Sequence, residues 1–265
     1  MRTQRAGNIA SLMMLIWLAF YILFARVLPQ WMGFLPAVGC TVPMLLLGSR
    51  VRGSTYGTRD CNVLRYRTAE YAVFFVFCIC GCALLSALGY IVGGFLSAVP
   101  TLPRTDFPYM LVFSCFLPAF FEEWLLRGGV LGAVTHKGGA GVWMCGVLFM
   151  LMHLDPAKWI FTLFAGVCIT ALVYQTECIY LGMLLHFVNN VFSLLLAYLP
   201  SETAEYIALG VIFLCFVASA LVLYRIPLGK DVRKLLFCVR KEDFYELLSP
   251  LFFLFAAATV LVILL

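Results

Sequence analysis

The chain has 265 residues, of which 64% are hydrophobic and 12% charged, whereas a soluble domain is roughly 45–50% apolar and about 25% charged. So few charges cannot coat the surface of a soluble enzyme, a disordered regulator or a nucleic-acid-binding domain, although the formal net charge is +5. The composition therefore predicts an all-α fold, a polytopic membrane helical bundle with about eight to nine transmembrane helices.

The 11 cysteines lie mostly inside apolar runs, which favours a packing role over a disulfide framework. Cys78, Cys80 and Cys82 are of a residue type that binds metals, but a spacing of two directs side chains on a helix to different faces. We therefore interpret these cysteines as small apolar residues between packed helices.

Nine apolar runs are candidate membrane spans, for which roughly 20 residues are needed. They are residues 9–29, 31–48, 71–97, 109–133, 141–154, 159–176, 178–199, 206–224 and 247–265. The first follows Arg2 and Arg5 as a signal peptide would, but its apolar stretch is too long and no small-residue cleavage site follows. We expect a retained first helix, and a tilted or incomplete helix at the short run 141–154.

The distribution of Lys and Arg predicts the orientation. With a cytoplasmic N-terminus and nine alternating spans, only Arg26, Arg104 and Lys158 of the 18 basic residues fall in outside loops. This bias predicts a cytoplasmic N-terminus, at the plasma membrane if the source is bacterial. We interpret the basic loops 49–68 and 225–246 as topology determinants, with contact to anionic lipid or an acidic substrate tail as the alternative.

No linker or internal repeat divides the chain, so residues 1–265 are predicted to form a single integral membrane domain. Ionisable residues inside its membrane helices are costly and are functional candidates by default. Three segments carry them: Glu122, Glu123 and Arg127 in the fourth span, His153 in the fifth, and His186 with Asn190 in the seventh.

Helical spacing predicts how these side chains are arranged. Glu123 and Arg127 are four residues apart and can pair on one face, whereas Glu122 is rotated by about 100° from Glu123. Phe149 shares a face with His153, and His186 shares one with Asn190. A carboxylate, two imidazoles and a carboxamide are thus expected to converge on one cavity, while we interpret the adjacent Asn189 as a satisfied packing contact.

Such a set suits peptide hydrolysis, which needs a base to deprotonate water and donors for the developing oxyanion. Glu122 is the candidate base, because pairing with Arg127 satisfies only one of the two adjacent acids. His153 is placed to share the water or to protonate the leaving amine. His186 and Asn190 offer N–H donors of the oxyanion-hole type.

Three ordered motifs resemble the CPBP family, the CAAX proteases and bacteriocin-processing enzymes also called Abi. They are Glu-Glu-x-x-x-Arg at Glu122, Phe-x-x-x-His at Phe149, and His-x-x-x-Asn at His186, with a family-like catalytic core at about residues 109–195. The resemblance implies an intramembrane glutamate protease, related to the type II CAAX prenyl endopeptidases. It implies that Glu122 and His153 activate water, that His186 and Asn190 form the oxyanion hole, and that Glu123 and Arg127 support the site.

Other interpretations stay open. A zinc-dependent membrane metalloprotease would use Glu122, His153 and His186 as ligands, although the sequence has no His-Glu-x-x-His motif. A non-catalytic transporter or scaffold with buried Glu and His is the second alternative. We expect no cofactor, no nucleic acid partner, and a substrate in the lipid bilayer, either a membrane-tethered or prenylated CAAX-type peptide or a bacteriocin or leader peptide.

Overall fold

A computed structural model describes residues 2–25, 35–51, 61–94, 107–199 and 202–264, and its regular elements within these ranges are helices. The all-α membrane bundle is thereby confirmed. Residues 26–29, 31–34, 95–97 and 265 of the predicted spans lie outside the described ranges, as do Arg26, Arg52, Arg59 and Arg104.

Most helices follow the apolar runs, and two more cover most of the basic segment 225–246, which was predicted to be a loop. In chain order they are α1 Arg2–Ala25, α2 Leu35–Gly39, α3 Thr41–Val51, α4 Thr68–Gly94, α5 Phe107–Met110, α6 Leu117–Glu123, α7 Leu131–Val134, α8 Gly139–Met152, α9 Trp159–Thr176, α10 Ile179–Ala197, α11 Glu202–Arg225, α12 Pro227–Phe237, α13 Lys241–Leu247 and α14 Pro250–Leu264. Two π-helical segments, Leu111–Phe116 and Trp124–Val130, join α5, α6 and α7 into one continuous rod.

Six helices of the described ranges are long and apolar enough to cross a membrane. They are Ala6–Phe24, Thr68–Gly89, Phe107–Lys137, Pro156–Thr176, Ile179–Ala197 and Thr203–Arg225. Helices α13 and α14 form a pair bent by 67° that would make a seventh span. The predicted nine spans include 31–48 and 141–154, whose helices Ala37–Gly48 and Gly139–Met152 are too short by this measure.

Helices α4, α8 and α9 form the centre of the bundle, and α11 packs on α4 from outside. Gly146 of α8 and Gly166 of α9 let these two helices approach closely, since a Cβ on Gly166 would lie 3.0 Å from the Gly146 Cα. On α11, large apolar side chains such as Phe213, Leu214 and Leu221 are exposed. An apolar outer face of this kind fits lipid rather than water.

One end of the bundle is fastened by contacts that the sequence analysis did not predict. A disulfide joins Cys61 to Cys178, and the backbone N–H of Asn62 donates to the Thr176 carbonyl at 2.9 Å. Arg65 Nη1 donates to the Gln175 carbonyl at 2.9 Å. These contacts fix the segment before α4 to the turn between α9 and α10.

Helix α12 is anchored at this same end of the bundle. The Tyr66 hydroxyl donates to Asp231 at 2.6 Å, and the Leu228 backbone N–H donates to the Glu70 carboxylate at 3.0 Å. Burial and the Asp231 hydrogen bond raise the pKa of Tyr66, so the hydroxyl keeps its proton. The helix starts at Pro227, whose fixed φ suits the first helical position.

Candidate active site

Glu122 and Glu123 end helix α6, just before the π-helical segment Trp124–Val130. A π-helical segment widens the helix locally and is often found at functional sites. It also changes the angle about the helix axis between the two carboxylates and the side chains that follow the segment. The sequence predicts a regular helix here, and the π-helical segment is a departure from it.

Glu123 is completely buried and is held by two cationic or potentially cationic groups. Arg127 Nη1 donates to Glu123 Oε1 at 2.7 Å, as the four-residue spacing predicts. His186 Nδ1 lies 2.8 Å from the same oxygen. Because a carboxylate accepts hydrogen bonds, the proton of this contact lies on Nδ1. The Glu123 carboxylate therefore fixes both the position and the tautomer of the His186 ring.

Arg127 connects this carboxylate to α9. Its Nε donates to Thr170 Oγ1 at 3.2 Å and its Nη2 donates to the Gly166 carbonyl at 2.9 Å. The guanidinium is fully buried, so these contacts supply the partners that water would otherwise supply. Gly166 and Thr170 are four residues apart on α9, so both acceptors lie on one face of this helix.

Glu122 differs from the adjacent Glu123 in its burial and in its contacts. It is half-buried, and among the described residues it makes no hydrogen bond and no ion pair. It lies within electrostatic range of His186, Glu123 and Arg127. The rotation of about 100° between adjacent helical residues thus separates a carboxylate whose Oε1 is held by Arg127 and His186 from one that has no such partner among the described residues.

His153 lies one residue beyond the end of α8, rather than within the helix as predicted. Its Nδ1 is 2.9 Å from the Phe149 carbonyl oxygen, which accepts, so Nδ1 carries a proton. In the neutral ring Nε2 then has a free lone pair. The residue is half-buried and within electrostatic range of His186.

The Phe149 ring lies between the two histidines. Its centroid is 4.7 Å from the His153 ring and 5.6 Å from the His186 ring, both edge-on. The Arg127 guanidinium lies 5.1 Å from the same centroid. Phe149 thus packs the three predicted motifs against one another, which explains why an aromatic residue stands four positions before His153.

The two asparagines of α10 differ in their surroundings. Asn190 is half-buried, and its Nδ2 lies 3.5 Å from the Ser114 carbonyl oxygen. Asn189 is buried, but its Oδ1 has no hydrogen-bond partner among the described residues. The interpretation of Asn189 as a fully satisfied packing contact is therefore wrong for this oxygen.

Gly182 is a further site residue that the sequence analysis missed. A Cβ at this position would lie 3.3 Å from Glu123 Oε2 and 2.6 Å from Val173 Cγ2. The absence of a side chain allows α10 to approach α6 and α9 closely enough for the His186–Glu123 contact. No local sequence pattern indicates such a contact between helices distant in the chain.

A metal centre would need several ligands in one place. Within the described ranges, no three His, Cys, Asp or Glu side chains are grouped closely enough to hold a metal ion. The predicted zinc ligands Glu122, His153 and His186 do not form such a group, and on both histidines Nδ1 is hydrogen-bonded within these ranges while Nε2 is not.

Residues 104–192 match the family model described as type II CAAX prenyl endopeptidase Rce1-like. This range includes Glu122, Glu123, Arg127, His153 and His186, and the resemblance to CAAX proteases is confirmed. Neither the curated proteins nor the solved structures contain a significant match. The family match supports a membrane-embedded protease.

Proposed function

We propose that this protein is an intramembrane glutamate endopeptidase that hydrolyses a peptide bond in a membrane-tethered substrate. The observation that carries the proposal is the half-buried Glu122 carboxylate, which has no protein partner among the described residues and lies beside the Glu123–His186 pair. A buried acid without a partner is unfavourable unless a ligand or water uses it. The type II CAAX prenyl endopeptidase match over residues 104–192 supports the same reaction.

In this proposal, Glu122 accepts a proton from the attacking water. His153 presents a lone pair at Nε2 to the same water, because Nδ1 donates to the Phe149 carbonyl. Two acceptors orient the water and leave one of its lone pairs directed at the substrate carbonyl. The proton taken by Glu122 is then available to the leaving amine.

His186 and Asn190 are proposed to stabilise the oxyanion. Since Nδ1 of His186 donates to Glu123, Nε2 can donate only when the ring carries both protons. In that state, two carboxylates balance the Arg127 guanidinium and the imidazolium. When Glu122 becomes protonated, the negative charge of the oxyanion replaces it, so the net charge of the buried site stays constant.

The surroundings favour an apolar substrate. Phe116 and Phe120 are 53% and 41% exposed on the rod that carries Glu122, and their rings stack at 6.4 Å. Phe116 also contacts Phe187, the neighbour of His186. We propose that this aromatic surface receives the lipid-like part of a prenylated CAAX-type peptide, with a bacteriocin or leader-type peptide as the alternative substrate.

A fluorogenic farnesylated CAAX-type peptide tests the proposal in detergent. We expect Glu122→Gln to lower kcat by about 10²–10⁴-fold, the usual contribution of a general base, and His153→Ala to lower it comparably. Glu205→Gln is the matched control, because it removes an exposed carboxylate on α11. Thermal unfolding of each variant shows whether a loss of turnover reflects a loss of fold.

Two outcomes would overturn the proposal. Wild-type turnover in Glu122→Gln removes the base from the mechanism. Activity that a strong chelator abolishes and zinc restores replaces the glutamate protease by the metalloprotease. If the farnesylated peptide is not cleaved, a membrane-tethered leader-type peptide is tested with the same variants, and failure of both supports the non-catalytic transporter or scaffold.

A further inference from the structure

A long apolar groove opens on the side of the bundle formed by α4, α8, α9, α11 and α12. Its volume is about 560 Å³, within the range of roughly 300–1,000 Å³ that is typical of ligand sites. Its wall includes Phe74, Phe77, Trp143, Phe164, Leu223 and Leu236. Glu122, His153, His186 and Asn190 are not among the residues that line this groove.

The groove is elongated along the helices. On α4 its wall extends from Phe74 to Leu85, which are separated by about 16 Å at a rise of about 1.5 Å per residue. Half the hydrocarbon thickness of a bilayer is about 15 Å. The groove therefore matches the depth of one lipid leaflet, as a single acyl chain would require.

One cationic side chain marks an end of the groove. Arg233 of α12 is the charged residue of its described lining. Since α12 is fastened to Glu70 and Tyr66 at the start of α4, Arg233 lies at the Phe74 end and far from Leu85. The groove thus has a charged end and an apolar end, like a phospholipid.

The charge of Arg233 has no acidic partner among the described residues. Its Nη1 and Nη2 both donate to the Tyr224 carbonyl at 3.3 Å, and its Cζ lies 4.1 Å from the Tyr224 ring centroid. These contacts hold the guanidinium in place without neutralising it. Exposed Lys230 is three residues earlier on the same helix and adds positive charge nearby.

We propose that this groove binds one anionic phospholipid, with the headgroup at Arg233 and one acyl chain along the wall between Phe74 and Leu85. An anionic headgroup complements the unpaired guanidinium, and basic sites beside membrane helices favour such lipids. A zwitterionic lipid would place its own cation beside Arg233. The acyl chain fills an apolar space that the protein atoms leave open.

Native mass spectrometry of the full chain measures the retained lipid. The protein is exchanged into equal parts of dioleoyl phosphatidylglycerol and dioleoyl phosphatidylcholine, and we expect one phosphatidylglycerol to be retained preferentially. Arg233→Gln should lower that preference about fivefold, which corresponds to about 1 kcal/mol for one cation near an anionic surface. Lys241→Gln is the matched control, because it removes an exposed charge of the same basic segment away from the groove.

A second variant tests the acyl chain. Ala220 lines the groove on α11, and Ala220→Trp should fill it and abolish retention of either lipid, with Ala220→Leu giving an intermediate loss. Equal retention of the two lipids by the wild type overturns the proposal. The proposal is also overturned if Arg233→Gln and Lys241→Gln show the same preference for phosphatidylglycerol. Full lipid retention by a folded Ala220→Trp variant overturns it as well.

Discussion

His186 Nδ1 and Arg127 Nη1 meet at one atom, Glu123 Oε1, at distances of 2.8 Å and 2.7 Å. This relationship joins α10 to the rod that carries both glutamates, across 63 positions of sequence. The adjacent acids therefore have different tasks. Oε1 of Glu123 is occupied by structural contacts, whereas Glu122 makes none among the described residues and is left for a ligand.

The first prediction concerns the buried ion pair. Glu123→Gln leaves the fully buried Arg127 without its counter-ion, so we expect the free energy of unfolding to fall by about 3–5 kcal/mol. Arg127→Met should have a comparable effect, since it leaves a buried carboxylate. In the double variant no uncompensated charge remains. Its loss of free energy of unfolding should therefore be clearly smaller than the sum of the losses in the two single variants.

Unfolding in mixed micelles with increasing sodium dodecyl sulfate measures these free energies, with Glu205→Gln as the exposed control. Simple additivity of the two single costs would contradict the prediction, because it would mean that Glu123 and Arg127 do not interact energetically.

The second prediction concerns the close approach at Gly182. Gly182→Ala places a methyl group 2.6 Å from Val173 Cγ2, so α10 must move away from α6 and α9. We expect lower thermal stability and a loss of turnover larger than the loss of stability explains, because His186 moves relative to Glu123. Gly210→Ala is the control, since nothing lies within 4 Å of its added Cβ. Equal behaviour of the two variants would refute the close packing.

The third prediction concerns the disulfide. Thiol labelling of the denatured chain should find nine thiols before reduction and 11 after it. Cys61→Ser should lower the free energy of unfolding by about 2–4 kcal/mol, because the bond closes a loop of 117 positions in the unfolded chain. Cys215→Ser, at an exposed free cysteine, should have little effect. Finding 11 thiols without reductant would disprove the bond.

The fourth prediction concerns orientation. Lys and Arg predict that the basic segment 225–246 faces the cytoplasm, so the Cys61–Cys178 bond at the same end is expected to be an exception to the rule that disulfides persist mainly in oxidising compartments. Exposed Cys238 reports the side directly in a Cys215→Ser background. We expect a membrane-impermeant thiol reagent to label Cys238 only after permeabilisation. Labelling in intact cells would reverse the orientation.

Local spacing was a reliable guide to parts of the site. The four-residue rule predicted the Glu123–Arg127 pair and the contact of Phe149 with His153, because both depend on the geometry of a single helical turn. Composition predicted the membrane bundle because a span, too, is a local feature: about 20 consecutive apolar residues suffice for one.

Features that depend on distant segments could not be predicted in this way. The fit of Gly182 against Glu123, the Thr170 contact of Arg127 and the Cys61–Cys178 bond each join residues far apart in sequence. The polytopic bundle is confirmed, while six helices of the described ranges are by themselves long enough to cross a membrane. Apolarity alone does not distinguish a full span from a short buried helix such as Gly139–Met152.

The Cys61–Cys178 bond makes a covalent ring from more than a hundred consecutive residues. Glu122 and His153 lie inside this ring, while His186 lies eight positions beyond its closure. A protease that cuts the backbone once between the two cysteines therefore releases no fragment. The nicked chain migrates as one molecule until a reductant opens the ring, and the two halves of the site stay tethered in the meantime.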